Sequence, residues 1–300
     1  MIDKVIITGV SGFVGQNISR YLSECSFDTE MVSLRNSDWK SNLDGIAILH
    51  LAGKAHDTKN VSEGSEYFKV NTELTKELFN YFLESNIRDF FYFSSVKAVA
   101  DEVPEVLFEA VLGNPKSPYG KSKLQGEEYI LSKQIPQGKR FFIIRPCMIH
   151  GPGNKGNLNL LYNLVNKRIP YPLSAFCNER SFLGIDNLNF LIKEMLQNKN
   201  IPSGVYNFSD DEFLSTNELV QIISLVLDRK NNSIAVPKSI INGIAKIGDF
   251  VKLPLNSETV QKLTENYRVS NQKIKAAIGI KKLPYTAQQG LEKTIKSFIK

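Results

Sequence analysis

The 300-residue chain has no uninterrupted apolar run near the length of about eighteen residues that a membrane-spanning helix needs. Its N-terminus, MIDKVIITG, shows no basic region followed by an apolar stretch and a small-residue cleavage site, so no signal peptide is expected. Cysteine is scarce. Cys25, Cys147 and Cys177 are odd in number and far apart, which argues against a disulfide framework and suits a reducing, cytoplasmic setting. The three histidines, His50, His56 and His150, lack ligand-like spacing, and no metal site is expected. Basic residues are not gathered into an arm. The net charge of +6 is spread along the chain, which argues against nucleic acid as a partner. It suits an anionic small ligand such as a nucleotide or diphosphate, and equally a solvated lysine-rich surface. Repeats and low-complexity segments are absent.

What is present is alternation. KVIIT (4–8), TEMVSL (29–34), IAILHL (46–51), FFYFS (90–94) and RFFIIR (140–145) read as short strands rich in β-branched and aromatic residues. Between them run helical patterns. Val14, Ile18 and Leu22 share one helix face, and Tyr67, Val70, Leu74, Leu78 and Phe82 predict a single long helix over 66–86. KSKLQGEEYILSK (121–133) supplies another. Apolar strands alternating with helices predict an α/β fold, a Rossmann-like doubly wound parallel sheet covered by helices. After RPCMIHGPG helical patterns dominate, with GVYNFS (204–209) a short strand. The expected organisation is a dinucleotide-binding domain over 1–155, to which some later segments return, and a smaller, mostly helical substrate lobe over 156–300. SIINGIAKIGDFVKLPL (239–255) is mildly amphipathic and reads as a lobe helix or a membrane-surface segment.

TGVSGFVG places Gly9, Gly12 and Gly15, with Phe13 and Val14 between the last two, directly after the first strand and at the start of a helix. Glycines there permit a tight turn and close approach of backbone N–H groups to a pyrophosphate at the helix N-terminus. The second strand is followed by Arg35 in MVSLRNSDW, with no acid at its end. A planar guanidinium suits a ribose 2′-phosphate, whereas a carboxylate suits the free 2′-OH, so NADP(H) is favoured over NAD. The alternative is a surface arginine, with Asp38 one turn later touching the adenosine. Trp39 reads as packing or as a flank for the adenine.

SPYGKSK carries Tyr119 and Lys123, an i, i+4 pair on one face of a helix between strands four and five. An ammonium beside a phenol favours the phenolate and would lower its pKa, giving a general acid/base. Ser94 and Ser95 end strand four, where carboxyl ends of parallel strands open onto a ligand crevice. Ser95 is expected to meet the reacting oxygen and Ser94 to serve structure.

Together these segments resemble the extended short-chain dehydrogenase/reductase family, in its nucleotide-sugar branch of epimerases, dehydratases and 4-keto reductases. The matching stretches are TGVSGFVG (8–15), HLAG (50–53), FSSV (93–96), YGKSK (119–123), RPCMIHGPG (145–153) and RSFLGIDNL (180–188). The resemblance implies Ser95, Tyr119 and Lys123 as catalytic residues, with Lys123 also on the nicotinamide ribose. It implies Leu51, Ala52 and Gly53 along the cofactor and Pro146 beside the nicotinamide. Asn157 and Arg180 would contact the diphosphate of a nucleotide-diphosphate sugar, although Arg180 could equally tie the lobe to the main domain. It also implies a homodimer through helices 65–85 and 120–133.

In the dehydratases of this family an Asp-Glu pair follows the hydroxyl of strand four and performs the elimination. Here Val96 and Lys97 stand there, and neither is a matched acid or base, which argues against dehydration. The expected activity is NADPH-dependent 4-keto reduction of a nucleotide-linked 4-keto-6-deoxy hexosamine, with UDP the favoured nucleotide, for surface-polysaccharide precursors. The alternative is a UDP-hexose or UDP-HexNAc 4-epimerase with bound NAD. A non-catalytic NADP sensor would have no need of the Ser/Tyr/Lys set.

Overall fold

A computed structural model describes residues 3–35, 39–40, 43–55, 64–103, 105–154, 157–251 and 256–299. Its centre is a six-stranded sheet of β1 (Lys4–Thr8), β2 (Asp28–Val32), β3 (Ala47–His50), β4 (Asp89–Phe93), β6 (Arg140–Pro146) and β9 (Gly204–Phe208). The order across the sheet is β2-β1-β3-β4-β6-β9, with every neighbouring pair parallel. The strands bury both faces. Ile7, Leu49, Phe91 and Phe142 point into one apolar cluster, while Ile6, Ile48, Phe90, Tyr92 and Ile143 point into another. This two-sided burial is what near-continuous β-branched and aromatic runs encode. It makes the sheet doubly wound and Rossmann-like, as the alternation predicts. β2 lies on one side of β1 and β3 on the other, so a topological switch opens a crevice at the carboxyl ends of β1 and β3.

α1 (Phe13–Glu24) follows β1, and its buried Ile18 and Leu22 pack against α6 (Ile185–Gln197). The helix read from 66–86 is broken in phase. α2 (Gly64–Phe68) and α3 (Leu74–Glu84) are joined by a π-helical turn over Lys69–Glu73. The wider turn adds about one residue, which rotates the following face by roughly 100°. Asn71, Thr72 and Thr75 therefore turn inward beside Leu78, Phe79 and Phe82, while Tyr67 and Val70 are only partly covered. A uniform 3.6-residue period could not reveal that shift. α4 (Pro118–Leu131) begins where Ser117 Oγ accepts from the Gly120 N–H (3.2 Å) and Pro118 occupies the first turn.

GVYNFS forms β9 at the edge of the central sheet, paired with β6, so this segment returns from the second half of the chain to the first. β7 (Met148–His150), β8 (Arg180–Gly184) and β10 (Phe213–Leu214) form a small sheet, and β5 (Val106–Leu107) pairs with β11 (Arg268–Val269). α5 (Asn157–Asn166), α7 (Thr216–Val226), α8 (Lys238–Val251), α9 (Ser257–Thr264) and α11 (Ala287–Lys296) share a separate apolar cluster, with Leu161, Ile223, Ile241, Val260 and Leu291 among its members. α10 (Gln272–Ile278) lies against β9. Trp39 is buried and meets Tyr81 edge-on, with ring centroids 5.9 Å apart, so it serves packing. Among the described residues no helix is long and apolar enough to cross a membrane, and no group of three potential ligands could hold a metal ion.

Candidate active site

Three consecutive residues at the end of β4 engage one face of α4. The Ser95 side chain lies close enough to that of Tyr119 to influence its titration. The Phe93 carbonyl accepts from Lys123 Nζ (2.8 Å). The Ser94 hydroxyl donates to Glu127 Oε1. Residues 119, 123 and 127 are successive i, i+4 neighbours, so one stripe of α4 meets the strand end in three places. Ser95 also caps the short 3₁₀ turn Val96–Ala98, accepting from the Lys97 N–H (3.1 Å).

Lys123 is 4% exposed, and its ammonium lies 5.0 Å from the Tyr92 ring centroid. Burial lowers it from an ordinary value near 10.5 to about 8, with Glu127 acting in the opposite direction. Tyr119 behaves differently from the sequence expectation. Its pKa is raised by burial, the nearby Ser95 hydroxyl lowers it in part, and the charge of a Tyr67 phenolate would raise it further. The Lys123 ammonium is bonded to the Phe93 carbonyl, and burial favours the protonated phenol.

Glu127 is fully buried and forks onto Arg145, which gives Nη2–Oε2 at 2.5 Å and Nε–Oε1 at 3.0 Å. Ser94, Glu127 and Arg145 thus form a polar cluster beneath the strand end. The sequence reading missed Glu127 and Arg145. The signal available was one further i+4 step along YGKSKLQGE.

A second network fixes the crevice between β1 and β3. His50 Nδ1 lies 2.9 Å from Thr8 Oγ1, and His50 Nε2 lies 2.9 Å from Thr75 Oγ1. Thr75 donates its hydroxyl to the Asn71 carbonyl (2.8 Å), so it accepts from His50 Nε2–H, and Nδ1 accepts from Thr8. Complete burial lowers His50 to about 3, keeping the ring neutral as this chain of bonds requires. Asn71 Oδ1 accepts the Lys54 N–H (2.8 Å) and its Nδ2 donates to Ser122 Oγ (2.9 Å). Ser122 donates to the Tyr119 carbonyl (2.8 Å). The inward turn of Asn71 therefore ties the segment after β3 to the start of α4. Period and composition gave no sign of it.

Of the residues expected to hold a dinucleotide, the glycine turn and Leu51–Gly53 border this crevice. Gly9 has φ 74°, and a Cβ there would come within 2.6 Å of the Ala52 backbone nitrogen, so the turn and Leu51–Gly53 lie in direct contact. Gly12 caps α1 without a side-chain bond, and no acid occupies the helix's first turn, which includes Phe13, Val14 and Gly15. That helix terminus offers its N–H groups and positive end to an anion. Gly53 is exposed, and a Cβ on it would stand 3.0 Å from Lys123 Nζ, so the β3 edge and Lys123 meet without a side chain between them. Pro146 ends β6, buried. Arg35 is exposed in the turn after β2, the strand that pairs with β1. Asp38 lies outside the described residues. The cradle fits a dinucleotide.

Arg180 opens β8, near Cys147 and the Lys97 turn. Its Nη2 lies 3.5 Å from Glu265 Oε1, and its Nη1 donates to the Lys262 carbonyl. Lys97 reaches the same carboxylate oxygen at 3.8 Å, donates to the Asp101 carbonyl (2.6 Å) and lies 4.3 Å from the Tyr267 ring centroid. Burial raises Glu265 and lowers both cations. Glu265 and Lys97 were not read as partners of Arg180. Asn157 opens α5, and its side chain lies outside the described residues.

A parallel sheet with a glycine turn at its switch point, and a Ser–Tyr–Lys cluster two strands away, defines an NAD(P)-dependent enzyme of the extended short-chain dehydrogenase/reductase type. The chain belongs to the NAD dependent epimerase/dehydratase family, which it matches over residues 5–208. It is 28% identical to a UDP-glucose 4-epimerase of Vibrio cholerae over 100% of this chain and 96% of that protein. It is 27% identical to an N-acetyl-α-D-glucosaminyl-diphospho-ditrans,octacis-undecaprenol 4-epimerase of Escherichia coli O157:H7, over 99% and 95%. The structure of RMD from Pseudomonas aeruginosa complexed with NADPH superposes with a TM-score of 0.77 at 19% identity, over 99% of this chain and 98% of that one.

Proposed function

We propose that the chain reduces the C4 ketone of a diphosphate-linked 4-keto-6-deoxy hexosamine, with a UDP-linked sugar as the first candidate, in the making of surface-polysaccharide precursors. The observation that carries this reading is the gathering of Ser95, Tyr119 and Lys123 at the carboxyl edge of the sheet, with burial favouring the protonated phenol. A protonated phenol is the form that ketone reduction consumes. NADPH, held along Gly9–Gly15 and Leu51–Gly53 with Pro146 beside the nicotinamide, would supply the hydride. Tyr119 gives its proton to the sugar oxygen, and Ser95 orients that oxygen by hydrogen bond. Lys123, facing Gly53, holds the ribose and returns positive charge to the phenol's neighbourhood as the phenolate forms. Arg35 is assigned the 2′-phosphate. Arg180 and Asn157 are assigned the diphosphate, and Glu265 yields the guanidinium when that anion enters. Val96 and Lys97 leave no acid–base pair for elimination.

A second reading is a 4-epimerase with resident NAD. It is favoured by alignment along the whole chain with two 4-epimerases, although reductases stand among the relatives as well. The E. coli relative is named for a sugar on a lipid diphosphate, so the carrier considered for this chain is a nucleoside or a lipid. Mass spectrometry of the purified protein separates the two readings. An empty site that fills with NADPH supports the reductase, and stoichiometric bound NAD supports the epimerase.

A further inference from the structure

α8 carries three faces. Ile241, Ala245 and Gly248 are buried, the first two within the apolar cluster of the lobe. Asn242, Lys246 and Asp249 lie on an exposed polar side. Between these runs a third stripe, Ile240, Ile244, Ile247 and Val251, at successive steps of three or four residues, with Phe250 at its edge. This stripe is open to solvent. Ile240 is 52% exposed, Ile247 61%, Val251 62% and Phe250 91%. From 240 to 251 it extends about 16 Å along the helix. An apolar stripe of that length, with an aromatic side chain standing clear of the protein, needs a partner.

The charges around it indicate which. Lys238 begins the helix, its ammonium 5.4 Å from the Phe176 ring centroid, and Lys246 borders the stripe on its polar side, while the exposed Arg229 and Lys230, preceded by the exposed Asp228, lie in the segment that leads into α8. The one acid on the helix, Asp249, already accepts from the Ser257 N–H (2.9 Å) and hydroxyl (2.6 Å). A second copy of the chain packed on this face by a two-fold axis would bring like cations together. An anionic lipid surface would neutralise them and take the apolar stripe into its acyl boundary.

We propose that α8 docks this protein on an anionic membrane surface, with Ile240, Ile244, Ile247, Phe250 and Val251 inserted and Lys238 and Lys246 on the headgroups. α8 packs on α9, whose Lys262 carbonyl accepts from Arg180, so a single helix stands between α8 and the residue assigned to the diphosphate. If the proposed reaction holds, docking favours a sugar whose diphosphate is carried on a lipid. Docking itself does not depend on that reaction.

The test is co-sedimentation of the full chain with vesicles, using phosphatidylcholine alone and phosphatidylcholine with phosphatidylglycerol. No turnover is measured, so this inference and the proposed reaction can fail separately. Binding should require the anionic lipid. Lys238→Gln with Lys246→Gln should weaken it roughly 30-fold, and Ile247→Ser with Phe250→Ser about 10-fold or more, with the far-ultraviolet circular dichroism and melting temperature of both variants unchanged. Absence of wild-type binding to the anionic vesicles overturns the proposal. So does sedimentation equilibrium showing a dimer that Ile247→Ser with Phe250→Ser converts to monomer, since a second copy would then cover the stripe.

Discussion

Ser94 donates its hydroxyl to Glu127, two turns beyond Tyr119 on the same face of α4. The bond gives the first serine after β4 a structural partner and leaves the second, Ser95, for Tyr119. It also anchors a buried ion pair, because the same carboxylate receives the Arg145 guanidinium.

Removing that carboxylate should be costly. Glu127→Ala leaves Arg145 charged and unpaired in the interior, a change worth about 3–5 kcal/mol of stability. Glu127→Gln retains an acceptor for Ser94 and should cost less. Urea unfolding of the three proteins checks the order wild type, Gln, Ala. An alanine variant as stable as wild type would remove the cluster from the account.

Lys123 gives a pH signature. Its folded value of about 8 lies below the ordinary value of 10.5. Between the two, the unfolded chain holds a proton that the folded protein has released, so the contribution of Lys123 to stability rises with pH across that window. Lys123→Met removes the titration. Any stability advantage of the methionine variant should therefore be greatest near about pH 7 and shrink towards about pH 10. A gap constant with pH would mean that the ammonium is not desolvated as described.

Arg35 follows β2 where an acid would otherwise receive the ribose 2′-OH. A charge-assisted contact with a 2′-phosphate is worth about 1.5–3 kcal/mol, or roughly 10- to 150-fold in affinity. NADPH should therefore bind more tightly than NADH, and Arg35→Asp should invert the order. Titration of both proteins with both reduced cofactors measures this. Equal wild-type affinities would leave Arg35 as a surface residue.

Val96 and Lys97 should bar elimination. Lys97 donates to the Asp101 carbonyl and faces Glu265, which commits its ammonium elsewhere. Incubation with UDP-GlcNAc and NAD should yield no product that has lost water. Efficient appearance of a 4-keto-6-deoxy sugar by mass analysis would refute the reading of these two positions.

The strands were legible because each face of the sheet is apolar. β1, β3, β4 and β6 fall within a residue or two of their β-branched and aromatic runs. Strand TEMVSL ends earlier than read, at Val32, because Leu34 and Arg35 already form the turn. The clustering of Ser95 with Tyr119, and of Lys123 with Gly53, follows from strand ends and helix period acting together. Asn71 was not legible, since one extra residue in a π turn leaves no mark on composition. The Arg180–Glu265–Lys97 cluster was hidden for another reason. It joins positions 97, 180 and 265, brought together only by tertiary packing.

The central claim is that Tyr119 donates the proton as the C4 ketone is reduced. The direct measurement is NADPH consumption with a UDP-linked 4-keto-6-deoxy N-acetylhexosamine, by wild type and Tyr119→Phe, beside NADPH affinity for each. The account predicts turnover by wild type, a loss of about 100-fold or more in the variant, and unchanged cofactor affinity. Near-normal turnover by a folded Tyr119→Phe protein, or no NADPH consumption by wild type, would contradict it.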